Sequence, residues 1–312
     1  MTRVIRDPVK PEAFQILNDY DDLFLDIPFH LASVNGIGPP GIEKRVSRAY
    51  DQDGSTIIDQ VLSERVINIS LDLFELWGEG AIPSIRGTRD ALMHIISPGV
   101  GELKFRVYMN NGEYYEIRGA TVDAFTGRGI DFAASPVHNS VALRLRCFDP
   151  AWYGAYRTVT IDANSNNDGV LPNWEYRQAV ENFGSWWSGI TATFTGPLYT
   201  PKMSLMTWNS GLADYDTVTY VELSSNVAAA ANVIITTDQG NRGAVDGSGD
   251  NVSYTSSSFF KTFVLAFSPV RFLHDEQTDA SWYNNFIGVD VVGGCTAAST
   301  LKLEWYDRYI GI

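Results

Sequence analysis

Starting at Asn164, the segment NSNNDGVLPNWE sets oxygen-bearing side chains at alternate positions, Asn164, Asn166 and Asp168. Gly169 follows where a tight turn falls, Leu171 where an apolar residue belongs, and Glu175 at the twelfth place. This is the ligand spacing of a calcium loop, in which hard oxygens converge on one ion and a final carboxylate closes the sphere. Against that chemistry, the first position is a neutral Asn, only Asp168 and Glu175 are carboxylates, and no entering helix precedes the loop. A polar turn between two domains explains the same residues, so the expectation is no metal site and no cofactor. Asn164, Asn166, Asp168 and Glu175 stay as the residues to watch.

Other reactive groups point to less. His30, His94, His138 and His274 are far apart in sequence, and His94 falls on a helical pattern beside core positions, where a structural role outweighs a catalytic one. Asp275 and Glu276 could serve as paired acids for glycoside hydrolysis, but with 37 Asp and Glu residues in the chain such a pair means little. There is no G-x-S-x-G elbow, P-loop, H-E-x-x-H or dinucleotide fingerprint. The expectation is a protein that is not an enzyme. Trp174, Trp186, Trp187, Trp208 and Trp282 could stack on sugar rings. Trp186 and Trp187 adjoin a strand pattern, however, so at least one of them is expected in the core.

The elements that would position these residues are mostly strands. Ile67, Ile69, Leu71 and Leu73 alternate with polar neighbours, which puts one face of a strand into a core. Ile85, Thr88, Leu92 and Ile95 fall at helical spacing and end at Pro98-Gly99. Leu103, Phe105, Val107 and Met109 alternate up to Asn111-Gly112, a dipeptide that predicts a type I′ hairpin turn. Val141, Leu143, Leu145 and Cys147 form a further alternating strand, closed by Phe148–Tyr153, where Pro150 cannot donate to a ladder. Later strand patterns cover Ile190–Gly196, Lys202–Trp208, Asp216–Leu223, Ala231–Thr237, Lys261–Phe267, Ile287–Gly293 and Leu301–Tyr309. Asp238–Ser253 between them reads as an exposed loop.

That order of elements resembles the distal tail proteins of long-tailed, siphovirus-type bacteriophages. The strand before a short helix, the NNG hairpin and the D-P-x-x-Y closure are similar to the family's N-terminal domain. ENFGSWWSGITATFTGPLYTPKM resembles the entry to its C-terminal sandwich, and LKLEWYDRYIGI its last strand. The resemblance implies a mainly β fold in two domains. Residues 1–160 would be a ring-forming α+β belt domain with an irregular N-terminal arm. Residues 161–312 would be a C-terminal β-sandwich of the jelly-roll or galectin-like kind. It implies a structural virion protein, a homo-oligomer closed as a hexameric ring between tail tube protein and tail hub or fibre protein. Such a protein is made in the host cytoplasm and ends at the tail tip of the virion.

Bulk properties agree with this picture. At 312 residues, 45% of them hydrophobic and 12% aromatic, the chain can fill two cores. Its formal net charge of -14 disfavours direct nucleic-acid binding, which needs clustered Lys and Arg. No apolar run reaches the roughly twenty residues that cross a bilayer, and no signal core follows Arg3 and Arg6, so neither membrane insertion nor export is expected. Cys147 and Cys295 are too few for a disulfide framework and read as buried apolar side chains. The alternative is a carbohydrate-binding, lectin-like sandwich that uses the tryptophans and the calcium-like loop. A host glycan is also a ligand that a tail-tip sandwich could take.

Overall fold

Stretches with apolar residues at every second position become strands, because successive side chains of extended backbone point to opposite faces. The computed structural model describes residues 10–18, 24–28, 32–47, 56–72, 92–97, 99, 101–127, 140–163, 174–209, 214–238, 242–256, 265 and 285–312. It is mainly β, as the sequence predicts. The chain divides into two compact units, one made of Met1–Gly154 with Tyr309–Ile312, the other of Ala155–Arg308.

In the first unit the strands are β1 (Pro11–Asn18), β2 (Phe24–Pro28), β3 (Ala32–Asn35), β4 (Ile42–Ser47), β5 (Thr56–Leu62), β6 (Arg65–Asp72), β7 (Leu103–Met109), β8 (Tyr114–Gly127), β9 (Ser140–Cys147) and the start of β10 (Trp152–Asp162). They pair in the order β2, β1, β7, β8, β9, β6, β3, all antiparallel, while β4 and β5 form a separate two-stranded ladder. Register matches hydrophobic pattern. Ile67 faces Leu145, Ile69 faces Leu143 and Leu71 faces Val141, so both strands present their apolar sets to one core. Phe14, Phe105 and Trp152 fill that core, with the Phe105 ring centroid 5.5 Å from Phe14 and 6.1 Å from Trp152. Leu92 and Ile95 enter it from a helical turn over 92–95; the rest of the expected helix, with Ile85 and Thr88, lies outside the described residues. The stretch read as an irregular arm carries β1, which is paired along both edges and buries Phe14 and Ile16 completely.

The hairpin between β7 and β8 differs from the expected turn. Type I′ needs positive φ at both central residues, yet Gly112 has φ +83 and Asn111 is not among the positive-φ residues. Gly112 N donates to Met109 O at 3.0 Å and Met109 N to Glu113 O at 2.8 Å. This is a three-residue loop with glycine in the left-handed position. Asn111 helps by a side-chain route instead, its Oδ1 accepting from Glu113 N at 3.1 Å.

The second unit contains the rest of β10 and β11 (Trp174–Ala179), β12 (Thr191–Thr195), β13 (Lys202–Asn209), β14 (Asp214–Leu223), β15 (Asn232–Thr236), β16 (Gly243–Asp246), β17 (Tyr254–Ser256), β18 (Phe286–Val291) and β19 (Thr300–Tyr309). One sheet runs β16, β15, β12, β19, β10, and the other β11, β18, β13, β14, β17. Their inner faces share one core. Phe194, Ile235, Leu301, Leu303 and Trp305 come from the first sheet and Met203, Val221, Leu223, Ile287 and Val289 from the second. That is a β-sandwich. The sequence does not anticipate β16: inside the expected loop, Gly243–Asp246 pairs with β15, and Val252 N donates to Ala244 O at 2.9 Å. Of the expected strand Lys261–Phe267, only Leu265 is described, bridging Ser188.

Candidate functional site

Most of the calcium-like loop lies outside the described residues. Asn164, Asn166 and Asp168 lie outside them, with Gly169 and Leu171. Glu175 stands on β11, where its carboxylate meets Arg177 at 2.7 Å, and Arg177 also reaches Asp290 at 3.2 Å. Among the described residues, no three His, Cys, Asp or Glu side chains gather as a metal site would need. Asp275, Glu276, His30, His138, His274 and Trp282 also fall outside. His94 is exposed on its helical turn rather than set into a core, because Leu92, Ile95 and Ile96 take the buried positions. Neither Trp186 nor Trp187 is a core residue, contrary to expectation. Trp186 is half-buried and Trp187 is 43% exposed, since both sit in an irregular stretch where period two does not hold. Among the described residues, the buried indoles are Trp152 and Trp305.

What the fold does bring together is a set of buried charged groups. Arg65 occupies an inward position of β6, in phase with Ile67 and Ile69, and is 2% exposed. Its Nε donates to Pro150 O at 2.8 Å, Nη1 to Gly36 O at 2.7 Å and also to Gly38 O, and Nη2 to Ile310 O at 2.7 Å. The guanidinium carbon lies 5.3 Å from the Trp152 ring centroid, and Trp152 Nε1 donates to Ile37 O at 3.1 Å. Burial brings the Arg65 pKa down to about 10. It also pushes the thiol of Cys147, directly opposite in register, up to about 12.

Asp149 explains the D-P-x-x-Y closure. One carboxylate oxygen accepts from Ala151 N at 3.2 Å and the other from Tyr153 Oη at 2.7 Å. The Tyr153 ring in turn lies under Arg118, at 4.6 Å. Glu116, 3% exposed on β8, is held by Arg106 at 2.6 Å and by Arg118 at 2.7 Å.

The second unit repeats the device. Asp307 is fully buried; its Oδ2 meets Arg157 at 3.0 Å and its Oδ1 accepts from Phe183 N at 3.0 Å. Asn182 donates to Trp186 O at 2.7 Å and accepts from Gly184 N at 3.0 Å. Gly184 lies so close to β19 that a Cβ there would stand 2.0 Å from Arg308 O. The Asn-x-Gly of the sequence is therefore a structural knot. On the outer face, the Tyr156 hydroxyl and Lys302 Nζ both donate to Glu304, which raises the Tyr156 pKa to about 12.

Sequence inspection passed over Arg65, Glu116 and Asp307. For Arg65 and Asp307 the available signal was phase, a charged residue at a position where strand alternation calls for an apolar one; Glu116 lies on the opposite face from Ile117, across from Arg106, and its alternation carries no such signal. Within the described residues Arg65 is held by backbone carbonyls, Glu116 by two arginines, and Asp307 by an arginine and a backbone N–H, and no helix there is long and apolar enough to cross a membrane.

These features define a mainly β chain of two units, one of them a sandwich, with charge used internally. No family model and no curated protein matches the chain. Its fold is that of the crystal structure described as SPP1 Dit (gp 19.1) protein, a paradigm of the hub adsorption apparatus in phages that infect Gram-positive hosts. The TM-score is 0.53 at 12% identity, covering 95% of this chain and 98% of that one. Two structures of the phage P2 baseplate in its activated conformation, with Ca and with Sr, align over the same shares at 9% and 10% identity, with TM-scores of 0.42 and 0.45.

Proposed function

We propose that this chain is a structural virion protein, a distal tail protein whose copies close a ring between the phage tail tube and the tail tip. The observation that carries the reading is the likeness of fold to SPP1 Dit over both units and almost the whole of both chains. Ring closure requires heterologous contacts, one face of each copy meeting a different face of the next. The family's arrangement is a hexamer, with tail tube protein on one side and hub or fibre protein on the other. The net charge of -14 suits a ring through which DNA passes without being held. The chain is made in the host cytoplasm, is incorporated at the virion tail tip, and does no chemistry on a substrate.

Light scattering and negative-stain images of the purified chain, alone and mixed with the tail tube protein of the same phage, test this. Rings of six copies in either sample are expected. A chain that stays monomeric in both, at high concentration, overturns the reading. If that monomer also binds on a glycan array, the lectin-like alternative takes its place.

A further inference from the structure

The acceptors of Arg65 are not equally near in sequence. Gly36, Gly38 and Pro150 precede the second unit, whereas Ile310 is 245 positions away from Arg65 and follows it. Ile310 belongs to Tyr309–Ile312, which is part of the first unit although the whole of the second lies between it and Gly154. The neighbours of Ile310 are engaged as well. Tyr309 packs edge-on against Tyr115 at 5.2 Å, Ile312 N donates to Ile37 O at 3.4 Å, and both Tyr309 and Ile312 lie against the first unit's core. A Cβ on Gly311 would stand 2.9 Å from Pro39 N.

We infer that Tyr309–Ile312 is the latch of the first unit, set by Arg65, so that this unit reaches its native state only after the second has been made and folded. The physical reason lies in the guanidinium, which brings a full charge and a planar fork of donors into a site with almost no access to water. It is tolerable there only while its donors are matched by carbonyls. Without Ile310 an outer nitrogen faces no acceptor at that position, and the core around Trp152 and Tyr115 loses its last layer.

The second unit is built to deliver the latch. Its first strand, β10, and its last, β19, are neighbours in one sheet, with Arg157 bonded to Asp307 at 3.0 Å and the Tyr156 and Tyr306 rings 5.0 Å apart. Residue 309 is thus returned beside the point of departure once that strand pair has formed. A chain cut short before Tyr309 keeps the sandwich and lacks the latch, so completion of the first unit reports that the second has been made. This holds whether or not the copies form a ring.

Hydrogen exchange read by mass spectrometry, peptide by peptide, on the full chain and on three variants tests the latch. The variants are deletion of 309–312, Gly311→Val, and Arg65→Lys, which keeps the charge but loses the fork. Exchange in β6 and β9 is expected to rise about tenfold or more in each variant, while β12, β13 and β18 keep their protection. Unchanged exchange in β6 and β9, or an equal rise in both units, overturns the proposal. Should the deletion variant prove insoluble, Gly311→Val in the full-length chain carries the same expectation and the same refutation.

Discussion

At the scale of single residues, the chain puts its charges where they must be matched. Glu116 is the clearest case, a buried carboxylate between two partly exposed arginines. Glu116→Gln removes the charge both depend on and is expected to lower stability by about 2–3 kcal/mol, read from the urea midpoint at unchanged slope. Cys147 makes stability depend on alkaline pH. Its folded pKa of about 12 lies above the ordinary 9.0, so the stability it contributes is complete below pH 9 and is lost as pH rises through the folded value. Arg65, lowered from 12.5 to about 10, has the opposite sign and offsets the loss from pH 10 upward. Between pH 9 and about 10 Cys147 should therefore lower stability by up to roughly 1.4 kcal/mol per pH unit, and Cys147→Ala should remove that share of the slope. Urea titrations across that range check both statements. Burial likewise raises the pKa of Cys295, so a thiol reagent should label neither cysteine until the chain is unfolded.

At the scale of elements, glycines mark where backbone geometry is demanding. Gly112→Ala forces a side chain into the left-handed position of the β7–β8 loop and should cost about 1 kcal/mol. Gly184→Ala is of another order. Its Cβ would meet the Arg308 carbonyl at 2.0 Å, which only a shift of one backbone segment against the other can relieve, and a loss of about 3 kcal/mol or more is expected in thermal unfolding. Strands β6, β7 and β9 were legible in the sequence because one face of each is buried and the other wet, which writes period two into the residues. Strand β16 was not legible, since four residues beginning with glycine and flanked by Gly, Asn and Asp look like a turn; pairing with β15 makes them a strand. The turn type failed for a related reason: Asn-Gly suits two loop geometries, and hydrogen bonding from Met109 to Glu113 selects the three-residue one. The buried arginine was hidden by its type, because composition assigns charge to the surface and only its phase with Ile67 and Ile69 says otherwise.

At the scale of the whole molecule, the calcium-like loop gives a further expectation. Glu175, which would have closed the coordination sphere, is committed to Arg177. Calorimetric titration with calcium should therefore release no binding heat and leave the melting temperature unchanged. A rise in melting temperature with calcium would restore the loop as a metal site.

The adjacency of β10 and β19 has a consequence for how such chains diversify. Neighbouring strands lie about 4.8 Å apart, so the stretch from Ala155 to Arg308 begins and ends almost at one point. For the gene this is a cassette: any domain whose two ends sit a strand's width apart can be spliced between Gly154 and Tyr309, with the first unit none the wiser. Recombination could then re-equip one part of the protein for a new setting while the other keeps its old commitments.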